Sequence, residues 1–284
     1  MKFNTIKNIA RKIKNINIDN IEQIQNEDGD DFYSVWKIAE KNNIYILKKS
    51  NENEINNYNL LTDINIPKFY GYLKYYNKFY ILIEYLEGAD LMDGNLSKCL
   101  KALDTIIDIN KKYLNKEINL SDSFDKELIR INKRIEYLND EKLENKYKEF
   151  IAIYKKTIKT ACHNDLLPFN MIVSNDKAYL IDLEHVGYLP YLLMLVRIIA
   201  HYKEEKGYLF YLEEDAKEKL IKYYYDNFVV QLNKSYEEYC YELDLFMFFE
   251  YTEWVYVYNK YKLKKDDRYN YYLNKCYEVI NKSN

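Results

Sequence analysis

The sequence predicts an α+β fold of two lobes, and the order of its local patterns supports this prediction. The first 86 residues read as strand, strand, strand, helix, strand, strand. From Leu91 onward apolar residues recur at helical spacing, and one predicted β-hairpin interrupts them. We therefore expect a five-stranded antiparallel sheet with one helix in residues 1–86. We expect residues 87–284 to form a mostly helical lobe that carries the hairpin.

The N-terminal strands are predicted from turn residues and from alternation. Turn-forming residues surround Gly29, and a strand is expected on either side of them. In the third strand, period-two alternation places Ile44, Ile46 and Lys48 on one face. The other predicted elements of this lobe are a helix at residues 51–61 and strands at residues 69–75 and 79–84.

Helical spacing accounts for most of the C-terminal lobe. The predicted helices cover residues 96–113, 191–202, 213–232, 236–260 and 269–280, with one or two more in 124–158 and a break near residue 139. The hairpin is predicted from apolar runs at residues 171–173 and 178–181, which a polar turn joins.

Composition and charge argue against several functional classes. The net charge is −3 and the pI is near 5.8, so no global positive field favours nucleic acid. The four cysteines form no C-x-x-C pair, and we expect reduced thiols in a cytoplasmic protein. No integral membrane segment is expected, because the apolar run at residues 191–200 is shorter than the about 20 residues of a spanning helix. A basic amphipathic segment at residues 2–14 is expected to pack on the domain, with binding to a membrane surface as the alternative.

The most informative stretch runs from residue 161 to residue 187. His163, Asp165 and Asn170 fit H-x-D-x-x-x-x-N, the spacing of a kinase catalytic loop, and Asp182 follows the hairpin. In phosphoryl transfer from ATP, one carboxylate accepts the proton of the attacking hydroxyl, while an amide and a second carboxylate hold Mg²⁺. We predict that Asp165 is the base, that Asn170 and Asp182 are the metal ligands, and that His163 is structural. A single aspartate of this kind is often only a turn residue, so the prediction depends on the combination.

Lys48 is the predicted partner of the α- and β-phosphates of ATP, with Glu54 on the next helix as its ion-pair partner. Lys49 and Glu52 are the alternatives, since charged residues on exposed faces are common. Strand parity favours Lys48, because it shares a face with Ile46, which would contact adenine.

Two further ATP contacts are predicted from position in the chain. The turn around Gly29 has one glycine, and its amides together with the hydroxyl of Ser34 would cover the phosphates. The backbone at Glu84 and Leu86 would form the hinge that binds adenine.

Aromatic residues near the C-terminus bear on the phosphate acceptor. They crowd one predicted helix and comprise Phe248, Phe249, Tyr251, Trp254, Tyr256 and Tyr258. Such residues either pack in the core or form a cage for a cation, since aromatic faces attract quaternary ammonium groups. Glu184, two residues after Asp182, would complement a cation.

With these residues described, the sequence resembles the choline kinase and aminoglycoside phosphotransferase superfamily, and most of all bacterial choline kinases. The resemblance is strongest in C-H-N-D-L-L-P-F-N-M-I and Y-L-I-D-L-E-H-V-G and extends from about Gly29 over most of the chain. It implies a bilobal protein-kinase-like fold, ATP with Mg²⁺, and a small cationic acceptor with a hydroxyl group. It also implies that Glu184, His185 and Trp254 contact the substrate.

The sequence departs from this superfamily at two places. His185 occupies a position where choline kinases usually have an aromatic residue. The four residues after Pro190, at positions 191–194, include no acid, whereas the family often has an aspartate there that braces the catalytic loop.

Three functions follow from the sequence. We favour an ATP- and Mg²⁺-dependent kinase for a hydroxyl of choline or a related amino alcohol. The first alternative is an aminoglycoside or other sugar-hydroxyl phosphotransferase, whose pocket Glu204, Glu205, Glu213, Glu214 and Asp215 would line. The second alternative is a catalytically impaired nucleotide-binding module, because the loop has a single glycine and the bracing acid is missing.

Overall fold

The computed structural model describes residues 2–24, 34–202 and 211–282. The predicted phosphate loop around Gly29 and the acids Glu204 and Glu205 lie outside the described residues.

The N-terminal lobe is a five-stranded antiparallel sheet with two helices. Its elements are α1 (Phe3–Ile13), β1 (Asn20–Gln23), β2 (Val35–Glu40), β3 (Asn43–Ser50), α2 (Glu52–Leu60), β4 (Phe69–Tyr75) and β5 (Lys78–Glu84). The strand order is β1-β2-β3-β5-β4. The predicted sheet and the inserted helix α2 are therefore confirmed.

The two faces of the sheet have different environments, as the alternation in β3 predicts. Tyr45 and Leu47 are buried on one face, in a cluster with Ile6 and Ile9 of α1. Lys48 lies on the opposite face, where its ammonium contacts the C-terminal lobe. The N-terminal basic helix thus packs on the sheet, and its apolar stripe is buried within the domain.

The C-terminal lobe is mostly helical, as predicted. Its elements are α3 (Leu96–Tyr113), α4 (Phe124–Arg134), α5 (Glu141–Lys156), β6 (Lys159–His163), β7 (Met171–Ser174), β8 (Lys177–Leu180), β9 (Val186–Pro190), α6 (Leu193–Ile199), α7 (Glu214–Asn227), α8 (Tyr236–Tyr261) and α9 (Asp267–Lys282). The side chains of Ser123, Asp140 and Ser235 cap α4, α5 and α8. None of the described helices is long and apolar enough to cross a membrane.

Three elements differ from the sequence prediction. α7 ends at Asn227, whereas the predicted helix continues to residue 232, and a 3₁₀ segment at Val229–Leu232 follows it. β6 pairs with β9 in an antiparallel two-stranded sheet that the local patterns do not reveal, because its strands come from either side of the hairpin. α6 is shorter than the predicted helix at residues 191–202. It begins only at Leu193, since β9 continues to Pro190, and it ends before Ala200, whose backbone leaves the helical region.

The packing of α5 against α8 fixes the helix that forms one wall of the candidate site. The rings of Phe150 and Phe249 stack with centroids 4.7 Å apart, and Phe150 meets Phe246 edge to face at 5.4 Å. All three side chains are at most 2% exposed. Such aromatic pairs stabilise by about 0.5–1.5 kcal/mol beyond the burial of their area.

The segment between the lobes runs from the end of β5 at Glu84 to the start of α3 at Leu96. The predicted boundary between residues 86 and 87 falls within it. This boundary remains a prediction.

Candidate active site

The loop between β6 and β7 carries the H-x-D-x-x-x-x-N residues and is held by its own hydrogen bonds. Nε2 of His163 lies 3.0 Å from the carbonyl oxygens of both Ile181 and Asp182. Burial lowers the pKa of His163, so the imidazole is neutral at pH 7 and its Nε2–H donates to these carbonyls. Nδ2 of Asn170 donates to the backbone carbonyl of Asp165 at 2.8 Å. His163 therefore fixes the turn that follows β8, and this geometry fits a structural role.

Lys48 and Asp182 meet across the two lobes. Nζ of Lys48 lies 2.9 Å from Oε1 of Glu54 and 2.5 Å from Oδ1 of Asp182. Burial acts to lower the pKa of Lys48, but attraction to the two carboxylates outweighs it, and the pKa is raised. Lys49 and Glu52, the alternatives for this pair, are both exposed. The structure thus brings together Lys48, which strand parity favours, and Glu54, its predicted partner on the next helix.

Local capping positions Glu54 at the start of α2. Oδ1 of Asn51, the N-cap residue, accepts from the amide of Glu54 at 2.9 Å, and the Ser50 hydroxyl donates to Oε2 of Glu54 at 2.7 Å. Further along α2, Nδ2 of Asn57 donates to the carbonyl of Leu183 at 2.6 Å. The helix that holds Glu54 is therefore also attached to the turn that holds Asp182.

Asn170 and Asp182 each present a side-chain oxygen that could bind a metal ion which also contacts the phosphates of ATP. The amide nitrogen of Asn170 is bound to Asp165, which leaves Oδ1 as the remaining ligand atom. Asp182 adopts a left-handed backbone conformation (φ 58°, ψ 57°), which Asp tolerates better than most residues. Among the described residues, no group of three or more His, Cys, Asp or Glu could hold a metal by itself. One carboxylate and one amide, completed by phosphate oxygens, form a donor set that suits Mg²⁺.

The predicted hinge is partly committed to other contacts. The amide of Glu84 donates to the carbonyl of Lys68 at 2.9 Å and is therefore not available to a ligand. The backbone of Leu86 forms no hydrogen bond with other described residues. Ser34 opens β2 beside β3, and its carbonyl accepts from the amide of Lys49 at 2.9 Å.

Beyond the hinge, the connecting segment is attached to the hairpin. Ala89 and Val173 exchange backbone hydrogen bonds of 3.2 and 2.8 Å. A Cβ at Gly88 would lie 2.2 Å from the carbonyl oxygen of Val173, so this close approach requires glycine.

A cavity of about 490 Å³ opens beside Asp165. Asp165, His185, Arg197 and Trp254 are among the residues that line it. Its volume lies within the range of about 300–1,000 Å³ of small-molecule sites. The cavity is therefore the candidate site for the phosphate acceptor.

The charged wall of this cavity was not predicted from the sequence. Three ion pairs build it: Arg130 with Glu127 (Nη2–Oε1, 2.5 Å), Arg134 with Glu253 (Nη2–Oε2, 2.5 Å) and Arg197 with Glu250 (Nη1–Oε2, 3.2 Å). A signal for them exists, because Arg197 interrupts the apolar run of α6, and Glu250 and Glu253 interrupt the apolar face of α8. A charge within a buried run needs a partner.

Glu184 does not line the cavity, although it was predicted to contact the substrate. Its Oε2 accepts from Nδ2 of Asn51 at 2.5 Å, which connects the turn after β8 to α2. The neighbouring His185 lies at the cavity, with Nδ1 3.7 Å from Oδ2 of Asp122. Glu184 and His185 are adjacent in the chain but lie in different environments, because the backbone turns there in a 3₁₀ segment.

The aromatic residues of α8 pack mainly in the core. Phe248, Phe249, Tyr251 and Tyr258 are at most 6% exposed. Trp254 alone of the six predicted cage residues lines the cavity, and its ring stacks on Tyr272 with centroids 5.7 Å apart. Most of the six aromatic residues of α8 therefore pack in the core rather than form a cage for a cation.

The acids considered for a polycation pocket lie elsewhere where they are described. Glu214 and Asp215 begin α7 and pair with Lys217 and Lys219. Residues 213–215 do not line the cavity. These acids form part of a charged surface.

The fold and the site define a class: a bilobal protein-kinase-like fold with a Lys–Glu–Asp contact between the lobes and a separate acceptor-sized cavity. No family model matches the sequence, and no curated protein matches it. Solved structures do match, over nearly the whole chain.

Three of these structures illustrate the likeness. The amicoumacin kinase hAmiN, in complex with AMP-PNP, Ca²⁺ and Ami, has a TM-score of 0.66 at 10% identity, covering 100% of this chain and 94% of that chain. A thermostable mutant of aminoglycoside phosphotransferase APH(4)-Ia, in ternary complex with AMP-PNP and hygromycin B, has a TM-score of 0.62 at 12% identity, covering 94% and 95%. An aminoglycoside phosphotransferase from Alicyclobacillus acidocaldarius has a TM-score of 0.62 at 10% identity, covering 97% and 94%.

At these identities the likeness establishes the fold. The predicted protein-kinase-like architecture is therefore confirmed. The closeness to bacterial choline kinases remains a prediction.

Proposed function

We propose that this protein is a small-molecule kinase that transfers the γ-phosphoryl group of ATP to a hydroxyl group, with a divalent metal ion as cofactor. The observation that carries this proposal is the convergence of Lys48, Glu54 and Asp182 across the lobes, directly beside the loop of Asp165 and Asn170. The proteins of similar fold include aminoglycoside and amicoumacin kinases, two of them in complex with AMP-PNP, which supports the same reaction class.

In the proposed reaction, Asp165 accepts the proton of the acceptor hydroxyl. The hydroxyl oxygen forms a bond to the γ-phosphorus, the bond from that phosphorus to the bridging oxygen breaks, and ADP leaves. Glu54 holds the ammonium of Lys48 in the cleft, where it binds the α- and β-phosphates. Ser34 and the hinge at Glu84 and Leu86 contact the nucleotide.

Asn170 and Asp182 hold the metal in this proposal. When bound, a divalent cation such as Mg²⁺ neutralises charge on the transferred phosphoryl group and its leaving oxygen. Asn170 contributes an uncharged oxygen and Asp182 a carboxylate that is 41% exposed toward the cleft.

The catalytic loop is ordered without an acid after Pro190, which supports an active enzyme over an impaired module. Residues 191–194 are buried and apolar. Other contacts hold the loop instead of a bracing acid. Nε2 of His163 contacts two carbonyls, and the amide of Asn164 donates to the carbonyl of His185 at 2.7 Å. The loop therefore has at least three hydrogen bonds that fix it.

For the acceptor, the sequence motifs favour choline or a related amino alcohol, and the solved structures of similar fold make an aminoglycoside an equal alternative. Trp254 and His185 at the cavity support an acceptor that binds beside Asp165. The position of Glu184 outside the cavity and the burial of the other α8 aromatics give no support to a cation cage.

The test is phosphoryl transfer from ATP to a panel that contains choline, ethanolamine, hygromycin B and kanamycin, followed by mass spectrometry. We expect a product 80 mass units heavier than at least one acceptor. Absence of transfer to every acceptor, together with no metal-dependent ATP binding by calorimetry, would contradict the proposal.

A further inference from the structure

The wall of the acceptor cavity carries a guanidinium group with an unused hydrogen-bond donor. Arg130 and Arg197 both line the cavity. Arg130 donates to Glu127 through Nε and Nη2 only, at 2.5–3.1 Å, so its Nη1 has no partner among the described residues. The side chain of Arg130 is 49% exposed. A guanidinium group with open N–H positions calls for an acceptor, preferably an anionic one.

Arg197 adds a second guanidinium group deeper in the cavity. Its side chain is 16% exposed, and its Nη1 lies 3.2 Å from Glu250 and its Nη2 3.9 Å from Glu253. The proposed base Asp165 lines the same cavity as Arg197. A small acceptor bound there would have its reacting hydroxyl and a second group within a short span.

The carboxylates of the wall are already committed. Glu253 accepts from Arg134, and Glu127 accepts from Arg130. Oε1 of Glu250 has no hydrogen-bond partner among the described residues but is buried against the protein, and burial raises the pKa of this carboxyl group. Apart from the base Asp165, the described wall therefore offers little free negative charge to a cation.

From these contacts we propose that the acceptor carries an anionic group close to its reacting hydroxyl, and that Arg130 and Arg197 bind this group. The inference rests on the proposed kinase function and names its substrate class. A hydroxy acid or a zwitterionic hydroxy amine fits, because the anionic end meets the two guanidinium groups while the hydroxyl faces Asp165. A permanently cationic acceptor without an anion fits less well, since it would lie beside two arginines.

Matched acceptors test the charge directly. Ethanolamine and serine differ by one carboxylate. Glycerol, glycerate and glycerol 3-phosphate share a three-carbon skeleton. Glycerol carries no anion, glycerate carries a carboxylate, and glycerol 3-phosphate carries a phosphate. We expect kcat/KM to be at least about tenfold higher for the anionic member of a set, as for a charge-assisted contact. The glycerol series then distinguishes a carboxylate from a phosphate as the preferred anion.

Substitutions at Arg130 and Arg197 test whether these residues cause the preference for an anionic acceptor. Arg130→Gln should reduce the preference for the anionic member about tenfold or more while the KM for ATP is unchanged. Arg130→Lys keeps the positive charge but not the planar fork of N–H donors, so it should retain part of the preference for the anionic member. Lys133→Gln, an exposed change on the same helix α4, should leave the preference unaltered. Arg197→Lys provides a second variant that keeps a cation beside Glu250.

The outcomes separate this inference from the function on which it rests. Transfer to choline, ethanolamine or aminoglycosides that depends on Asp165, without transfer to serine, glycerate or glycerol 3-phosphate, would overturn the anion inference and leave the kinase function standing. An anion preference that persists in both Arg130→Gln and Arg197→Lys would also overturn it. Loss of all transfer and of ATP binding in the wild-type protein would remove both.

Discussion

The nucleotide side and the acceptor side of the candidate site are built in different ways. On the nucleotide side, Asp165, Asn170 and Asp182 lie within 18 residues of one another in sequence, and only Lys48 and Glu54 come from the other lobe. On the acceptor side, the charged wall combines residues of three helices that are distant in sequence, α4, α6 and α8. Short chain spacing specifies the first region, whereas tertiary packing assembles the second.

This difference has an energetic counterpart. The ammonium of Lys48 bridges a buried carboxylate and a half-exposed one, so the nucleotide side keeps one charge accessible to a ligand. The acceptor side buries most of its charges in internal pairs, and Arg134 is only 2% exposed. Breaking a buried pair costs about 3–5 kcal/mol, so the acceptor wall is expected to be rigid and sensitive to truncation.

The largest effect should come from Asp165→Asn. An amide cannot accept the proton of the acceptor hydroxyl, so we expect kcat to fall by about 10²–10⁴-fold. ATP affinity should change little, because Asp165 acts at the reacting hydroxyl. Steady-state kinetics and calorimetry with Mg·ATP measure the two quantities. Activity equal to that of the wild-type protein would show that the base lies elsewhere.

A second test on the nucleotide side is Asp182→Ala, with Asp176→Ala as the control in the same hairpin. Loss of a metal ligand should weaken Mg·ATP binding by at least about 10–100-fold, the effect of losing even an outer-shell partner. Binding of ATP without metal should be unchanged or tighter, because the change releases Lys48 and removes a negative charge. Asp176 is 93% exposed and forms an exposed ion pair with Lys101, so its loss should change ATP binding less than about twofold.

Metal dependence is the decisive readout of this pair. If Asp182→Ala weakened ATP binding equally with and without Mg²⁺, Asp182 would be stabilising the cleft rather than binding the metal.

The extent of prediction from sequence follows the same division. Alternation in β3 identified Lys48, and the spacing from Asp165 to Asn170 identified the loop, because both signals are local. The pairing of β6 with β9 and the ion pairs of Arg130, Arg134 and Arg197 depend on which distant segments meet. Local periodicity carries no information on that. Glu184 shows the limit most clearly, since its sequence position suggests the substrate while the backbone turn directs it to Asn51.

The acceptor side should also respond to pH through His201, which lines the cavity. Burial lowers the pKa of His201 to about 4 from its ordinary 6.5. The unfolded chain therefore binds a proton that the folded protein does not between pH 6.5 and 4, and stability falls as the pH decreases through this window. The expected slope from this group approaches about 1.4 kcal/mol per pH unit.

His201→Gln should remove this part of the slope in denaturant unfolding measured at pH 4–7. Identical slopes in the wild-type protein and His201→Gln would show that His201 is not held neutral by its surroundings.

The smallest expected effect, and the sharpest for the acceptor, comes from Glu184→Gln. If Glu184 only accepts a hydrogen bond from Asn51, the change should cost about 0.5–1.5 kcal/mol of stability at most and alter all acceptors alike. If Glu184 bound a cationic head group, the change would raise KM about 10–100-fold for cationic acceptors alone, since a charge-assisted contact would be lost. Asn51→Ser keeps an N-cap oxygen for the amide of Glu54 but removes the Nδ2 donor to Glu184, and should reproduce the effect of Glu184→Gln. A selective loss of choline or ethanolamine turnover in Glu184→Gln but not in Asn51→Ser would show that Glu184 binds the acceptor rather than supporting the nucleotide side.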